Sequence, residues 1–420
     1  MLKRESLAFT VLLSGLVAIP PLSTDIGLPA YAETADALAT TQPVVALTLS
    51  FFMLGFGIGP LFYGPLSERF GRRPVLLAGL TFYFIASVFC TFTPSIGLLL
   101  GSRLVQGFAA AGGTVLAIAS IRDLFDSAGG RKKIAYVMMI NGLMPMVAPS
   151  IGVFVLATGG WRAVYAVMMA GGALLVLGVL FGFAESIPRK NPGALAVGQL
   201  IAGYKEVLTH RVSISSALLN ASCFGVMFAF ISGSPIFFID LMGVTTKTYG
   251  YIFAIPVVGT VSGTLCNSLF GGRRNKPRRF ICIGLSLMTV ATACLLTLSL
   301  TAPSLLVPMV VLLVATNFGI GLVSPNASYA AVQFMPHLAG VASAVLASTQ
   351  MIVGAVSAAL VVSLFTSLGP CALAAVMFGF ALLAVCLFLS IPRDLPPEPA
   401  ARQQKTKSDK TVGRRVEMLT

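Results

Sequence analysis

The stretch Gly64-Pro65-Leu66-Ser67-Glu68-Arg69-Phe70-Gly71-Arg72-Arg73-Pro74 is a short basic segment with an apolar run on either side, 44–64 before it and 75–93 after it. Spanning a hydrocarbon core takes roughly 20 residues of helix, and each run is about that long. The segment therefore reads as the connection between two membrane spans. Glycines at 64 and 71 permit a tight turn and close helix approach. Glu68 is placed to sit near a helix N-terminus, where the dipole favours an anion. Arg69, Arg72 and Arg73 can pair with the acids of the next loop on the same side, Asp123 and Asp126. Such a cluster would hold two halves of a molecule together on that side and release when they rock apart.

Working outward, similar apolar runs recur along all 420 residues: 7–27, 96–121, 134–157, 163–184, 212–239, 249–271, 280–300, 303–324, 338–366 and 371–391. Hydrophobic residues make up 56% of the chain and charged ones 10%, with a mean hydropathy of +0.92. A soluble domain carries about a quarter charged residues, so this chain could not keep its surface wet. Lipid cannot satisfy open backbone groups, and the weak ten-residue alternation of a β-barrel is absent. The expectation is an all-α integral membrane protein with twelve transmembrane helices in two six-helix bundles. The first bundle is expected over 1–184, a cytoplasmic linker over 185–211, the second bundle over 212–391, and a disordered basic cytoplasmic tail over 392–420.

A net charge of +14 suggests nucleic acid until its distribution is read. With the N-terminus inside, Arg162 and Lys247 fall in outer loops and Arg103 within a span. Every other Lys and Arg lies in an inner loop or at a terminus. That is the positive-inside asymmetry, and it places both termini in the cytoplasm of a multi-pass inner-membrane protein, with lipid rather than nucleic acid as the partner. Lys3, Arg4 and the run after them read as an uncleaved first helix rather than a signal peptide. The seven cysteines all fall in spans without a CxxC pair and read as small core residues. With two histidines in the chain, neither a metal site nor a cofactor is expected. The motifs HExxH, GxSxG and GxxxxGK[ST] are all missing, which argues against an enzyme and against direct drive by ATP.

The halves carry a faint repeat. Gly71-Arg72-Arg73 and Gly272-Arg273-Arg274 each end the second span of a half, as parallel repeats about an axis normal to the membrane would.

The 64–74 segment resembles the signature loop of the major facilitator superfamily, with Glu68 where an Asp is usual. Arg103-Leu104-Val105-Gln106-Gly107 resembles that family's fourth-helix Arg motif. The run Met144 to Gly152, with Pro145 and Pro149, is similar to the fifth-helix motif of its antiporters. Gly160-Trp161-Arg162, Ser234-Pro235, Pro325-Asn326 and Ala339 to Ala344 resemble the twelve-helix drug:proton antiporters. Ser23 to Pro29 resembles the bicyclomycin/chloramphenicol-resistance branch. The pattern departs at Gly27 (usually Tyr), Pro60 (commonly Gln) and Val153 (usually Gly). Val17 stands where some related multidrug exporters have a Glu. The resemblance implies the major facilitator fold and proton-coupled export of drugs by alternating access, with a monomer sufficient for the mechanism.

Asp25 is a carboxylate at the outer part of span one and a candidate to take up and lose the coupling proton. Arg103 lies about 10 Å deep in span four at 1.5 Å per residue, the same outer half, and is expected to reach Asp25 or to sense substrate. Pro20 and Pro21 should bend span one. Gly142, Pro145, Pro149 and Gly152 read as a hinge or seal in span five. Polar and aromatic candidates for a substrate pocket are Gln106, Asn141, Asn220, Phe230, Ser234, Asn317, Asn326 and Gln350, of which only a few can line one; the others would bond between helices. A metabolite carrier for a purine, sugar or amino-acid derivative would keep the same fold. A membrane sensor that transports nothing has no need of Asp25, Arg103 or the loop cluster.

Overall fold

The computed structural model describes residues 2–3, 5–125, 127–187, 190–270, 277–302 and 304–391. Thirteen α-helices run through them: α1 (Leu7–Asp25), α2 (Tyr31–Ala37), α3 (Gln42–Phe70), α4 (Arg72–Phe92), α5 (Ile96–Leu124), α6 (Ser127–Gly182), α7 (Val197–Thr209), α8 (Arg211–Pro235), α9 (Thr246–Phe270), α10 (Pro277–Thr301), α11 (Leu306–Gln333), α12 (Ala339–Leu368) and α13 (Cys371–Ser390). Among the described residues, eleven helical stretches are long and apolar enough to cross a membrane. One of them, Lys132–Gly182, has 51 residues and would be about 76 Å long as a single helix, more than twice the hydrocarbon thickness. It is two crossings. The break is Gly160, whose φ of 69° and ψ of −175° interrupt α6, so the crossings number twelve. The tail over 392–420 and the second-half segment 271–276 lie outside the described residues, as do Asp126 and Arg189.

Helix ends follow local chemistry. Ser6 and Ser95 cap α1 and α5 by accepting from the amides of Phe9 and Leu98, and the His210 ring caps α8 by accepting from Ser213, each satisfying a donor the helix leaves open. The 64–74 segment is mostly helix rather than loop. Residues 64–70 are the last turns of α3, and the reversal is confined to Gly71 at φ 106°, a value L side chains rarely adopt.

Polar and small residues set the packing inside each half. On α3 and α5, a methyl at Gly55 would collide with the Leu104 carbonyl and one at Gly107 with the Phe52 carbonyl. On α9 and α11 the same relation recurs, Gly259 against the Val314 carbonyl and Gly321 against that of Thr260. The second and fourth crossings of both halves thus touch backbone to backbone, as small residues allow in lipid. Arg103 and Asn317 each sit one turn before the glycine of the pair. This is a deeper repeat than the Gly-Arg-Arg pattern. The cysteines are all free. Cys90 and Cys223 are core residues as expected, but Cys282, Cys294 and Cys386 are exposed on the outside of the bundle, where sequence position within a span could not distinguish lipid from core.

The two halves are closed against each other at the end remote from Gly71. Leu28, Tyr31, Val45 and Leu49 of the first half belong to one buried cluster with Phe230, Phe237, Phe238, Tyr249 and Phe253 of the second. Gln42 donates to Asp240 across that seam at 3.2 Å. In mid-helix, Gly57 and Met53 of α3 lie against Ile352 and Gly354 of α12.

Candidate transport site

Asp25 ends α1, and its side chain is 2% exposed. Its Oδ1 has no hydrogen-bond partner, and no ion pair joins it to Arg103 among the described residues. Burial of this kind is costly for any carboxylate unless a partner or a proton arrives. Arg103 is as deeply buried, at 3%, but its donors are engaged elsewhere. Nη2 donates to the Ser23 carbonyl at 2.7 Å and Nη1 to Gln106 Oε1 at 2.6 Å. Nε lies 3.4 Å from the Thr48 carbonyl. The guanidinium sits 4.5 Å above the Phe52 ring, a cation–π contact. Arg103 therefore clamps the backbones of α1 and α3 to α5 two residues before Asp25, instead of pairing with its carboxylate. The clamp extends outward: Gln106 donates to Ser87 Oγ at 2.7 Å, and Ser23 bonds Tyr83 Oη at 2.7 Å.

The fifth-crossing motif lies next to this end of α1. A methyl at Gly152 would collide with the carbonyl of Ile26, the residue after Asp25, so glycine there lets the α6 backbone touch the end of α1. Pro149 is buried, while Asn141 and Pro145 are half-buried and Gly142 is exposed.

At the opposite end, Arg72 Nε pairs with Asp123 Oδ2 at 3.0 Å, and Arg72 Nη1 reaches Ser67 Oγ at 2.5 Å. Ser186 Oγ donates to the same Asp123 oxygen at 3.2 Å. The carboxylate at the α4 N-terminus is Glu185, which accepts from the amides of Arg72 at 2.9 Å and Arg73 at 3.3 Å; Glu68 is exposed in the last turn of α3. The anion at that N-terminus comes from after α6 instead. Arg73 donates to the Leu180 carbonyl at 2.7 Å, and Arg69 lies over Phe70 at 5.5 Å. All these partners belong to residues 67–186, so the cluster ties the first half together. Among the described residues it makes no bridge to the second.

The other polar candidates separate by environment. Gln106 belongs to the Arg103 clamp. Asn220 donates to Ser328 at 2.6 Å, Thr260 to Asn317 at 3.1 Å and Asn326 to Asn267 at 2.8 Å; these join α8 and α9 to α11 within the second half. Ser234 bonds Tyr249 at 2.9 Å, and Phe230 stacks on Phe253 at 5.5 Å, both within the seam of the remote end. Gln350, like Asn141, is half-buried. Sequence reasoning passed over Tyr31 and Tyr249, which lie in that same seam, and Glu33, which accepts from the Trp161 amide at 3.1 Å and so caps the second segment of α6. An acid in the short connection between the first two spans offers no signal that it will cap the sixth.

This arrangement has relatives. The sequence matches the family described as Major Facilitator Superfamily over residues 8–358. It is 30% identical over 393 residues to an uncharacterized MFS-type transporter, YdgK, of Bacillus subtilis, spanning 93% of this chain and 97% of that one. It is 28% identical over 369 residues to a bicyclomycin resistance protein homolog of Haemophilus influenzae, 86% and 90% of the two chains. Multidrug resistance protein D of Escherichia coli is 28% identical over 371 residues, with the same coverage. The fold is similar to that of a D-xylose-proton symporter, with a TM-score of 0.72 over 92% of this chain and 98% of the other at 16% identity. This chain belongs to the Major Facilitator Superfamily and is a multi-pass membrane transporter.

Proposed function

We propose that the chain is a proton-coupled exporter of small amphipathic molecules or drugs, working by alternating access in the cytoplasmic membrane with both termini inside. The observation that carries this reading is Asp25: a carboxyl group buried to 2%, with an oxygen lacking any partner, between the Arg103 clamp and the glycine contact of α6. A site for an exchangeable proton within a membrane needs such a group. Its role is coupling, with Arg103 positioning the end of α1 that bears it. The likeness to the two resistance proteins supports drugs as the cargo. The Lys and Arg asymmetry supports placing Gly71 and its cluster at the cytoplasmic face, and a single chain suffices.

The test uses everted membrane vesicles with an imposed proton gradient reported by an acridine dye. Chloramphenicol-like or lipophilic cationic compounds should collapse the gradient with the wild-type chain and fail to do so with Asp25→Asn. Equal drug-driven proton movement in both would remove Asp25 from the coupling role. If no drug moves protons in the wild type but a metabolite does, the cargo is a metabolite. If nothing moves, the transport reading itself fails.

A further inference from the structure

Helix α7 lies in the connection between the halves, and its faces are not alike. At about 100° per residue, Ile201 and Leu208 fall within about 40° of Val197, and Lys205 follows at about 80°. Glu206 and Gln199 lie on the far side, near 180° and 200°. Leu200, Gly203, Tyr204 and Val207 fill the arc from about 240° to 340°. Protein covers that last arc: Val207 is 1% exposed and packs with Met335, Ala342 and Val345, beside Tyr204, Leu338 and Val341. Glu206, on the polar side, meets His337 at 2.9 Å. Among the described residues, the adjoining apolar arc is left largely uncovered. Val197, Ile201 and Leu208 are 67%, 60% and 50% exposed.

The position of the helix says what covers them. α7 sits at the Gly71 end of the bundle, immediately before α8, and bridges the seam between the halves. Tyr204 Oη donates to the Leu61 carbonyl of α3 at 2.8 Å, while Val207 and Glu206 hold the second half. Residue 62, next to that acceptor, begins an exposed apolar stripe of Phe62, Ile58 and Leu54 on the same spanning helix. The open arc of α7 is therefore continuous with the lipid belt. Its rim is cationic, with Lys205 and Arg211 both exposed, and the helix's one acid points the other way.

We infer that α7 is an interfacial helix seated in the phospholipid leaflet at the Gly71 end, with Val197, Ile201 and Leu208 in the boundary between acyl chains and headgroups and Lys205 on headgroup phosphate. An amphipathic helix with an apolar face and a basic rim lies in the membrane plane in this way. The connection is then a lipid-held strap over the seam, where a purely aqueous linker would leave three apolar side chains in water. The placement is independent of the cargo, so its failure would leave the transport reading untouched.

Trp161 is the chain's single tryptophan, which allows a fluorescence test on the full chain. Ile201→Trp, Val197→Trp and Gln199→Trp are each made with Trp161→Phe and placed in nanodiscs of phosphatidylcholine with phosphatidylglycerol. Lipids brominated in the upper acyl chain should quench Ile201→Trp and Val197→Trp about twofold, matching a helix seated about 5–10 Å into the boundary. Iodide should quench only Gln199→Trp. Iodide quenching at all three positions with no bromolipid effect overturns the proposal. Adding Lys205→Glu to Ile201→Trp should weaken bromolipid quenching strongly in discs with phosphatidylglycerol and less in pure phosphatidylcholine, whose phosphate is offset by choline. No difference in the first case removes headgroup phosphate as the partner of Lys205. The two apolar positions are read separately, so misfolding of one variant leaves the other to decide.

Discussion

A guanidinium presents its donors in a rigid fork, and at Arg103 that fork meets two backbone carbonyls and a side-chain amide on three helices. The carbonyls belong to Ser23, in the last turn of α1, and Thr48, within α3, and Arg103 is the donor that meets each from across the helix gap. Lysine has the charge without the fork. Arg103→Lys should therefore leave at least one of them unmet and destabilise the chain by about 2 kcal/mol, read as a lower unfolding midpoint in detergent; a midpoint equal to wild type would mean that the clamp bears no load. Arg103→Lys is also expected to slow drug-driven proton movement, because the end of α1 that holds Asp25 loses its anchor. Both residues were visible in the sequence as isolated charges in apolar runs, and their shared depth was calculable from helix rise. Their separation was not. Depth fixes a residue's height along a helix, whereas pairing depends on azimuth, and the azimuth of Arg103 directs it to carbonyls.

Two helix ends in this chain are satisfied by acids from distant elements, α4 by Glu185 and the second segment of α6 by Glu33. The Glu33 contact and the break at Gly160 act as one unit. Gly160 has φ 69°, and a methyl there would lie 2.7 Å from Glu33 Oε1. Gly160→Ala should cost about 1–3 kcal/mol in backbone strain, with the displaced carboxylate adding to it. Glu33→Ala should cost about 1 kcal/mol as a lost cap. In the double variant the collision is gone, so the two costs should sum to less than their separate values, measured by unfolding in detergent. Full additivity would show the contact to be incidental. A break near residue 160 was legible, since apolar runs ended at 157 and resumed at 163 around Gly160-Trp161-Arg162. Helix α7 was not. Its apolar positions 197, 201, 204 and 208 do recur at helical spacing, but Gly198 and Gly203 lower its propensity, and thirteen residues are too few to stand out against full-length spans.

At the scale of the whole molecule, a transporter's sequence must allow two arrangements of its halves, so no sequence argument could state which end is shut. The structure shuts the end remote from Gly71. A seam of aromatic side chains there lies over Asp25, and the polar contact between Gln42 and Asp240 sits at its rim. Alternating access about a fixed site requires that seam to part in every cycle. Cysteines introduced as Gln42→Cys and Asp240→Cys should therefore join readily through a short bis-methanethiosulfonate, which links each thiol by a disulfide, because the native side chains already touch. The joined protein should lose drug-driven proton movement, and reduction of the link should restore it. The native chain carries three exposed cysteines of its own, so the same reagent on the chain without the two substitutions is the control and should leave transport unchanged. Each single substitution should also transport, since an exposed hydrogen bond at a rim contributes about 1 kcal/mol and neither residue lies in the buried seam. Transport that continues with the link in place would mean that the remote seam stays closed through the cycle, and the path for cargo would then have to leave the bundle laterally, between α6 and α9.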